Sequence, residues 1–416
     1  MPDHSAPVAP PPATPPAGPS NLPMWSSSPV IEWLLLEGWR VPEIEGLLKQ
    51  VCDRLNDAGV PLWRVFCTVP SLHPQYFGEA FRWQQGEPIE RMQGMWDLID
   101  SPEYRESPIR VIVDEGAAGI RRRLICPETP LDYSILTDLK EQGATDYVIL
   151  PLEFTNGERA AVSFTSNHPA GFTTAHLTQL NDLLPVLARN MENHSLRSTA
   201  VNLLDTYVGR AAGSRILSGQ IRRGSAESIY SAIWYSDLRG FTTLSETLPR
   251  DSVIAALNAY LEAMTAAVHS QQGQVLKFIG DGILAMFPAE DGQPAGEACR
   301  RALAAADASE EAMALVNEGR LAVDAPILDY GLALHLGEVM FGNIGAADRL
   351  DFTVIGPAVN VASRLEQLCK VLRRRPLLSK AFVEGCGVDQ PVEPLGRYEL
   401  RGLAAPHEVF APSRKA

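Results

Sequence analysis

The sequence predicts an α+β chain with two folded domains and a helical connector between them. Three observations carry this. Its 416 residues exceed what a single hydrophobic core usually organises, which favours two domains. Strand and helix periodicities alternate in both halves, the pattern of mixed sheets covered by helices. Between the halves an apolar stripe of helical period passes through Leu177, Leu180, Leu184, Leu187, Met191, Leu196, Leu203, Leu204 and Val208, longer than one closing helix requires.

Residues 1–28 are Pro, Ala and Ser with almost no apolar periodicity. Such a composition buries too little surface to offset the entropy of ordering, so a flexible tail is expected. Within 29–193, Ile44, Leu47, Leu48, Val51 and Leu55 recur at helical spacing. Trp63 to Val69, Phe81 to Trp83, Arg110 to Val113, Asp146 to Phe154 and Ala160 to Thr165 read as strands, the last two turned into a hairpin by Asn156 and Gly157. An antiparallel sheet and a closing helix from near Thr174 complete the domain. This order resembles a GAF-like sensor domain, which implies either a small-molecule ligand or dimer contacts. No metal or haem signature chooses between them.

Residues 194–227 continue the stripe and are expected to act as connector and transducer, either packed on their own domain or paired with a second chain. Pro185 is expected to kink the helix, and the polar, Gly-containing run from Arg210 to Glu227 marks the boundary before a third segment, 228–416.

Composition narrows the function. A hydrophobic content of 45% with 21% charged residues is that of a globular protein. The net charge of -14 argues against nucleic acid as a partner, because such binders display a basic footprint. No run approaches the roughly 18 apolar residues of a membrane span, and the N-terminus lacks the basic-then-apolar layout of a secretory signal; a cytoplasmic location is expected. The six cysteines are scattered without metal-like or redox-like pairs, and are expected to be reduced.

The chemistry gathers in 228–416. Tyr235-Ser-Asp-Leu-Arg-Gly-Phe-Thr242 runs from a strand into a Gly-containing turn before a helix, placing Asp237 at a strand end where a carboxylate can reach a hard cation. In Lys277-Phe-Ile-Gly-Asp-Gly282 two glycines push Asp281 to the tip of a hairpin. Two such carboxylates side by side make a clamp for two ions on a polyphosphate. Phe352 to Arg364 reads as strand, Gly-Pro break and helix. Asn360 and Arg364 are one helical turn apart and present an amide and a guanidinium from one face. Such a pair suits a ribose and a phosphoryl group.

These three clusters, in order, resemble the class III nucleotidyl cyclases, with Asp237 in an Asp-Leu-Arg-Gly-Phe-Thr segment, Asp281 in a Gly-Asp-Gly hairpin, and Asn360 and Arg364 in an Asn-x-Ala-x-Arg-like helix. The resemblance implies a ferredoxin-like catalytic domain, two divalent metal ions (Mg2+ or Mn2+) held by Asp237 and Asp281, a transition state offset by Arg364, and a ribose fixed by Asn360. It implies a homodimer, because in this family the metal carboxylates come from one subunit and the other site residues from its partner. Lys277, where guanylyl cyclases carry Glu, implies ATP as substrate. Thr353 stands where the usual adenine partner is Asp; it can accept from the exocyclic amine, or can simply be a β-branched strand residue. The Thr variant occurs in a subgroup that includes bicarbonate-stimulated members, which raises bicarbonate or another small molecule as a regulator. Phe241 in the first cluster is expected at the substrate, and Arg401 is the nearest match to a triphosphate-binding Lys, with an exposed surface residue as the alternative. A catalytically silent nucleotide sensor and a guanylyl cyclase are the rival functions.

Overall fold

The first half of the chain owes its shape to one amphipathic pair of helices clamped on an antiparallel sheet. The computed structural model describes residues 29–289, 295–387, 391–403 and 405–413; the expected tail over 1–28 lies outside them. The chain divides into two units between Ser198 and Thr199.

In the N-terminal unit, helices α1 (Pro29–Leu36) and α2 (Ile44–Asp57) precede strands β1 (Arg64–Pro70), β2 (Tyr76–Gln84) and β3 (Glu90–Met95), short helices α3 (Pro102–Arg105) and α4 (Pro108–Val113), strand β4 (Ile120–Arg122), helix α5 (Ser134–Glu141), and the hairpin β5 (Asp146–Glu153) and β6 (Arg159–Ser166). The six strands form one sheet in the order β3-β2-β1-β6-β5-β4, antiparallel at every pairing. Side chains alternate across it. Val65, Cys67, Val148, Val162 and Phe164 face the apolar stripe of α2 and the long helix α6 (Thr174–Val208). Tyr147, Ile149 and Ala161 face the other way, against Ile112 of α4 and Leu136 and Leu139 of α5.

One predicted strand is corrected. Arg110 to Val113 is the end of α4: Ser107 caps the helix by accepting from the Arg110 amide, and Pro108 occupies its first turn, a start signal that outweighs the β-branched run. The polar edge strand β3 and the short β4 carry no apolar alternation and were not predicted. Helix α6 is continuous through Pro185 and stops at Gly209, whose φ of 85° is open to glycine. The stretch read as a polar boundary begins with a further helix, α7 (Arg210–Leu217), because Ala212 and Ile216 bury an apolar edge beside Val208.

The C-terminal unit continues with β7 (Ala226–Leu238), α8 (Phe241–Thr247), α9 (Arg250–Ser270), β8 (Gln274–Ile279), β9 (Gly282–Pro288), α10 (Ala295–Ala322), β10 (Tyr330–Gly345), β11 (Leu350–Ile355), α11 (Pro357–Leu372), β12 (Leu377–Ser379), α12 (Lys380–Cys386), β13 (Val392–Tyr398) and β14 (His407–Pro412). The eight strands run β13-β14-β12-β10-β7-β9-β8, with β11 paired to β10. Only β10 with β12 is parallel, so the sheet is mixed. Trp234, Tyr260, Phe287 and Phe382 pack one face against α9, α10 and α12. Ile233, Leu284, Met286 and Phe341 pack the other against α7 and the Ala358 and Ala362 face of α11. No helix among the described residues is long and apolar enough to cross a membrane, and all six cysteines are free thiols.

Candidate functional site

Asp237 and Asp281 are brought together by strand register. Asp237, the penultimate residue of β7, pairs directly with Gly282 at the start of β9, so the hairpin tip carrying Asp281 lies at its side. The tip is tight: Ile279 pairs with Gly282 and Gly280 takes φ of 63°, the positive value that two-residue hairpin turns demand of a first central residue. A Cβ on Gly282 would lie 3.0 Å from Asp237 Oδ1, so the carboxylate folds over a residue that must have no side chain. Beneath, Ser236 Oγ is 2.7 Å from the Tyr260 hydroxyl and donates to the Gly331 carbonyl at 2.8 Å, anchoring the strand end.

The electrostatics of this corner are strained toward neutrality. Burial, and next the Asp281 carboxylate, raise the Asp237 carboxyl above the ordinary range, with Arg239 pulling it down. Glu366 of α11, almost wholly buried, lies 2.8 Å from Arg239 Nη2, yet burial lifts its carboxyl to about 7, and Asp237 and Asp281 add to the rise. Asp237 and Glu366 thus share one guanidinium, with the Asp281 carboxylate adding negative charge beside them. Gly331, opposite Asp237 on β10, makes room for it, since a Cβ there would collide with both Glu366 Oε1 and Arg239 Nη2. Arg239 and Glu366 were not singled out in the sequence; the two-residue spacing from Asp237 to Arg239 was visible, but the partner 127 positions away was not.

Lys277 stands on β8 and is ion-paired with Asp351 of β11. Asp351, Thr353 and Ile355 share the outward face of β11, while Phe352 and Val354 are buried. Lys277 therefore stands on the Thr353 side of that strand. Asp351 was overlooked in the sequence, although its alternation with Thr353 was there to be read.

Helix α11 starts as the Gly356-Pro357 break predicts, with Pro357 in its first turn. Its inner face turns to β7: Ser363 is hydrogen-bonded to Tyr235 and Glu366 to the corner just described. Asn360 is exposed, and Arg364 Nη1 reaches Gln367 Oε1 at 3.5 Å, so these side chains form a separate stripe one turn apart. Among the described residues no ion pair or hydrogen bond joins Asn360 or Arg364 to Asp237 or Asp281 of the same chain.

The remaining two site residues are less specifically placed. Phe241 opens α8 and packs its ring against the core beside α9. Arg401 lies exposed on the turn after β13, without an ion pair among the described residues.

A divalent cation fits the acidic corner on donor chemistry. Among the described residues no cluster of three or more His, Cys, Asp or Glu offers a complete cage. Two hard carboxylates whose mutual repulsion already raises one of them match an ion that takes one or two carboxylates and completes its shell with water and phosphate oxygens.

Residues 226–375, from the first residue of β7 to just past α11, match the family described as Adenylate and Guanylate cyclase catalytic domain. The chain is 33% identical over 178 residues to Adenylate cyclase 1 of Rhizobium meliloti, covering 42% of this chain and 26% of that protein. It is 35% identical over 167 residues to an adenylate cyclase of Anabaena cylindrica, covering 39% and 32%. It thus spans about a quarter to a third of these relatives. Among solved structures it is similar to the adenylyl cyclase CyaB from P. aeruginosa, at 26% identity over 46% of this chain and 97% of that one, TM-score 0.42. It is also similar to the guanylyl cyclase Cya2, at 28% identity over 45% and 95%, TM-score 0.41. Residues 226–375 are thus similar to adenylate and guanylate cyclase catalytic domains.

Proposed function

We propose that the C-terminal unit converts ATP into 3',5'-cyclic AMP and pyrophosphate in sites shared by two copies of the chain. The observation that carries this reading is the split within one protomer: Asp237 and Asp281 meet at a strand end, while Asn360 and Arg364 occupy a different stripe with no bond to them. A homodimer in which the stripe of one copy faces the corner of the other brings all four to a single triphosphate, twice per dimer.

Two divalent ions, Mg2+ or Mn2+, bound at Asp237 and Asp281 would neutralise the triphosphate and lower the pKa of the ribose 3'-hydroxyl. Asn360 holds the ribose so that its 3'-oxygen lies in line with the α-phosphorus. The 3'-hydroxyl gives up its proton to solvent as its oxygen bonds to the α-phosphorus and the bond from that phosphorus to the bridging oxygen of the β-phosphate breaks, so pyrophosphate leaves. Arg364 offers two donors to the phosphoryl oxygens where charge concentrates in the transition state. Lys277, a donor only, serves the acceptor ring nitrogen of adenine and mismatches the donor edge of guanine; Thr353, on the same side, accepts from the exocyclic amine. Phe241 and Arg401 are assigned to substrate contact, Arg401 to the triphosphate. Residues 29–193 are read as a GAF-like regulatory domain and 194–227 as the transducer to a catalytic domain over 228–416, with bicarbonate among the effectors to try at constant pH.

The deciding experiment incubates the full chain with ATP or GTP and Mg2+ or Mn2+, and measures cyclic product against chain concentration. Specific activity with ATP should rise with concentration as dimers form. Cyclic GMP as the main product would reassign the base. No cyclic product with either nucleotide would leave a catalytically silent sensor.

A further inference from the structure

We propose that the N-terminal unit binds a small carboxylate with a compact apolar body, in a cavity between its sheet and helices α4 and α5. The cavity holds about 170 Å³, slightly more than the roughly 150 Å³ that accommodates a benzene ring. It is therefore sized for a single ring or a short branched chain bearing one head group.

Its sheet wall is a matched row. Arg64 of β1 lies opposite Thr165 of β6, and Thr165 lies opposite Tyr147 of β5. One step along, Phe66 lies opposite Ser163. All five residues line the cavity. Ser163 and Thr165 are buried hydroxyls, and Ser163 is hydrogen-bonded to the Tyr147 hydroxyl. Opposite, Ile109 of α4 and Ile135 and Leu139 of α5 supply an apolar wall. A core built only to be filled would not set a cation and three hydroxyls against it.

The sign of the ligand follows from two features. Arg64 is half-buried with no ion pair or side-chain hydrogen bond among the described residues. By contrast Arg82, Arg91, Arg110, Arg121, Arg122 and Arg159 of the same unit each hold a carboxylate. Burial, and next the neighbouring Arg82, lower the pKa of Arg64, against Tyr147, Glu90 and Asp138, and none of these groups closes an ion pair with it among the described residues. Independently, the N-terminus of α5 opens on the same cavity through Ser134, and Tyr133 before it supplies no side-chain cap. The Leu136 amide is bonded to the Tyr133 carbonyl, which leaves the two amides before it, and amides at a helix start favour an anion. A carboxylate satisfies the Arg64 fork and leaves its apolar body to the α4 and α5 wall. Glu103, on the exposed rim, disfavours larger polyanions.

Calorimetric titration of the full chain with benzoate, isovalerate and the neutral isostere benzamide tests this without reading cyclase turnover, so it stands apart from the catalytic proposal. Benzoate or isovalerate should bind saturably, and benzamide at least about tenfold more weakly than benzoate, the worth of a charge-assisted pair. Arg64→Met should abolish the preference for benzoate, and Ile135→Trp, which fills the space, should abolish binding of both acids. Equal affinity for benzoate and benzamide, or no saturation by either acid up to about 10 mM, a range that reaches millimolar affinities, would overturn the proposal. The comparison of acid and amide on the unmodified chain decides even if a variant fails to fold.

Discussion

Lys277 is tied to Asp351 across two strands that are not sheet neighbours, β8 and β11. The ammonium assigned to the adenine ring is thereby held beside Thr353 before any nucleotide arrives. Because both partners are nearly half exposed, the pair contributes orientation more than stability. Asp351→Asn should raise the KM for ATP by up to about fivefold with little change in folding, the range an exposed pair commands. Lys277→Glu places acceptors where guanine has donors, and should cut kcat/KM for ATP by about two orders of magnitude while raising that for GTP. Steady-state assays with both nucleotides check both variants.

Shared sites have a signature that single-chain catalysis lacks. Asp237→Ala and Arg364→Ala should each lower kcat by at least about a hundredfold, as loss of charge stabilisation does. Mixing the two inactive chains in equal amounts should restore about a quarter of the wild-type activity, since half the dimers are mixed and each of those has one intact site of two. Activity that stays at the level of the single variants, with mixed dimers demonstrated, would count against the arrangement.

Gly331 leaves room for the Arg239 and Glu366 pair opposite Asp237. Gly331→Ala should force that pair aside, destabilise the C-terminal unit by about 1–3 kcal/mol, as overpacking does, and reduce kcat more than it raises KM. A denaturation curve and a kinetic split together test it: unchanged stability with unchanged kcat would mean the corner has slack the geometry does not show.

His335 gives the C-terminal unit a pH dependence of definite sign. Burial, and next His407, lower its pKa from 6.5 to about 4, while its Nδ1 lies 2.8 Å from Ser379 Oγ. Between these values the unfolded chain binds a proton that the folded chain refuses, so stability is complete above pH 6.5 and falls as pH drops toward 4. The loss from this group is at most about 3 kcal/mol. Urea midpoints at pH 7 and pH 5 should differ less in His335→Gln than in the unmodified chain; an equal difference would assign the slope to other groups.

Much of the acidic corner was legible in local pattern. Asp237 at a strand end, the Gly280-Asp281-Gly282 tip and the Pro357 helix start each depend on turn chemistry that a few neighbouring residues dictate. The same was true of the β5 and β6 hairpin, where Asn156 and Gly157 impose the turn. Local pattern misled at Arg110 to Val113, where a Ser-Pro helix start two residues upstream overrode strand propensity. It was silent on β3, an edge strand whose polar residues show no buried face.

By itself, then, the sequence determined the two-part α+β organisation and the residue types of the acidic corner and the α11 stripe. Tertiary structure alone decided which distant groups meet: Glu366 with Arg239 over Gly331, Lys277 with Asp351, and Arg64 with Tyr147 at a cavity. Backbone turns are governed by interactions over a few residues, whereas these meetings depend on strand register and helix phase, which only the packing of whole elements sets.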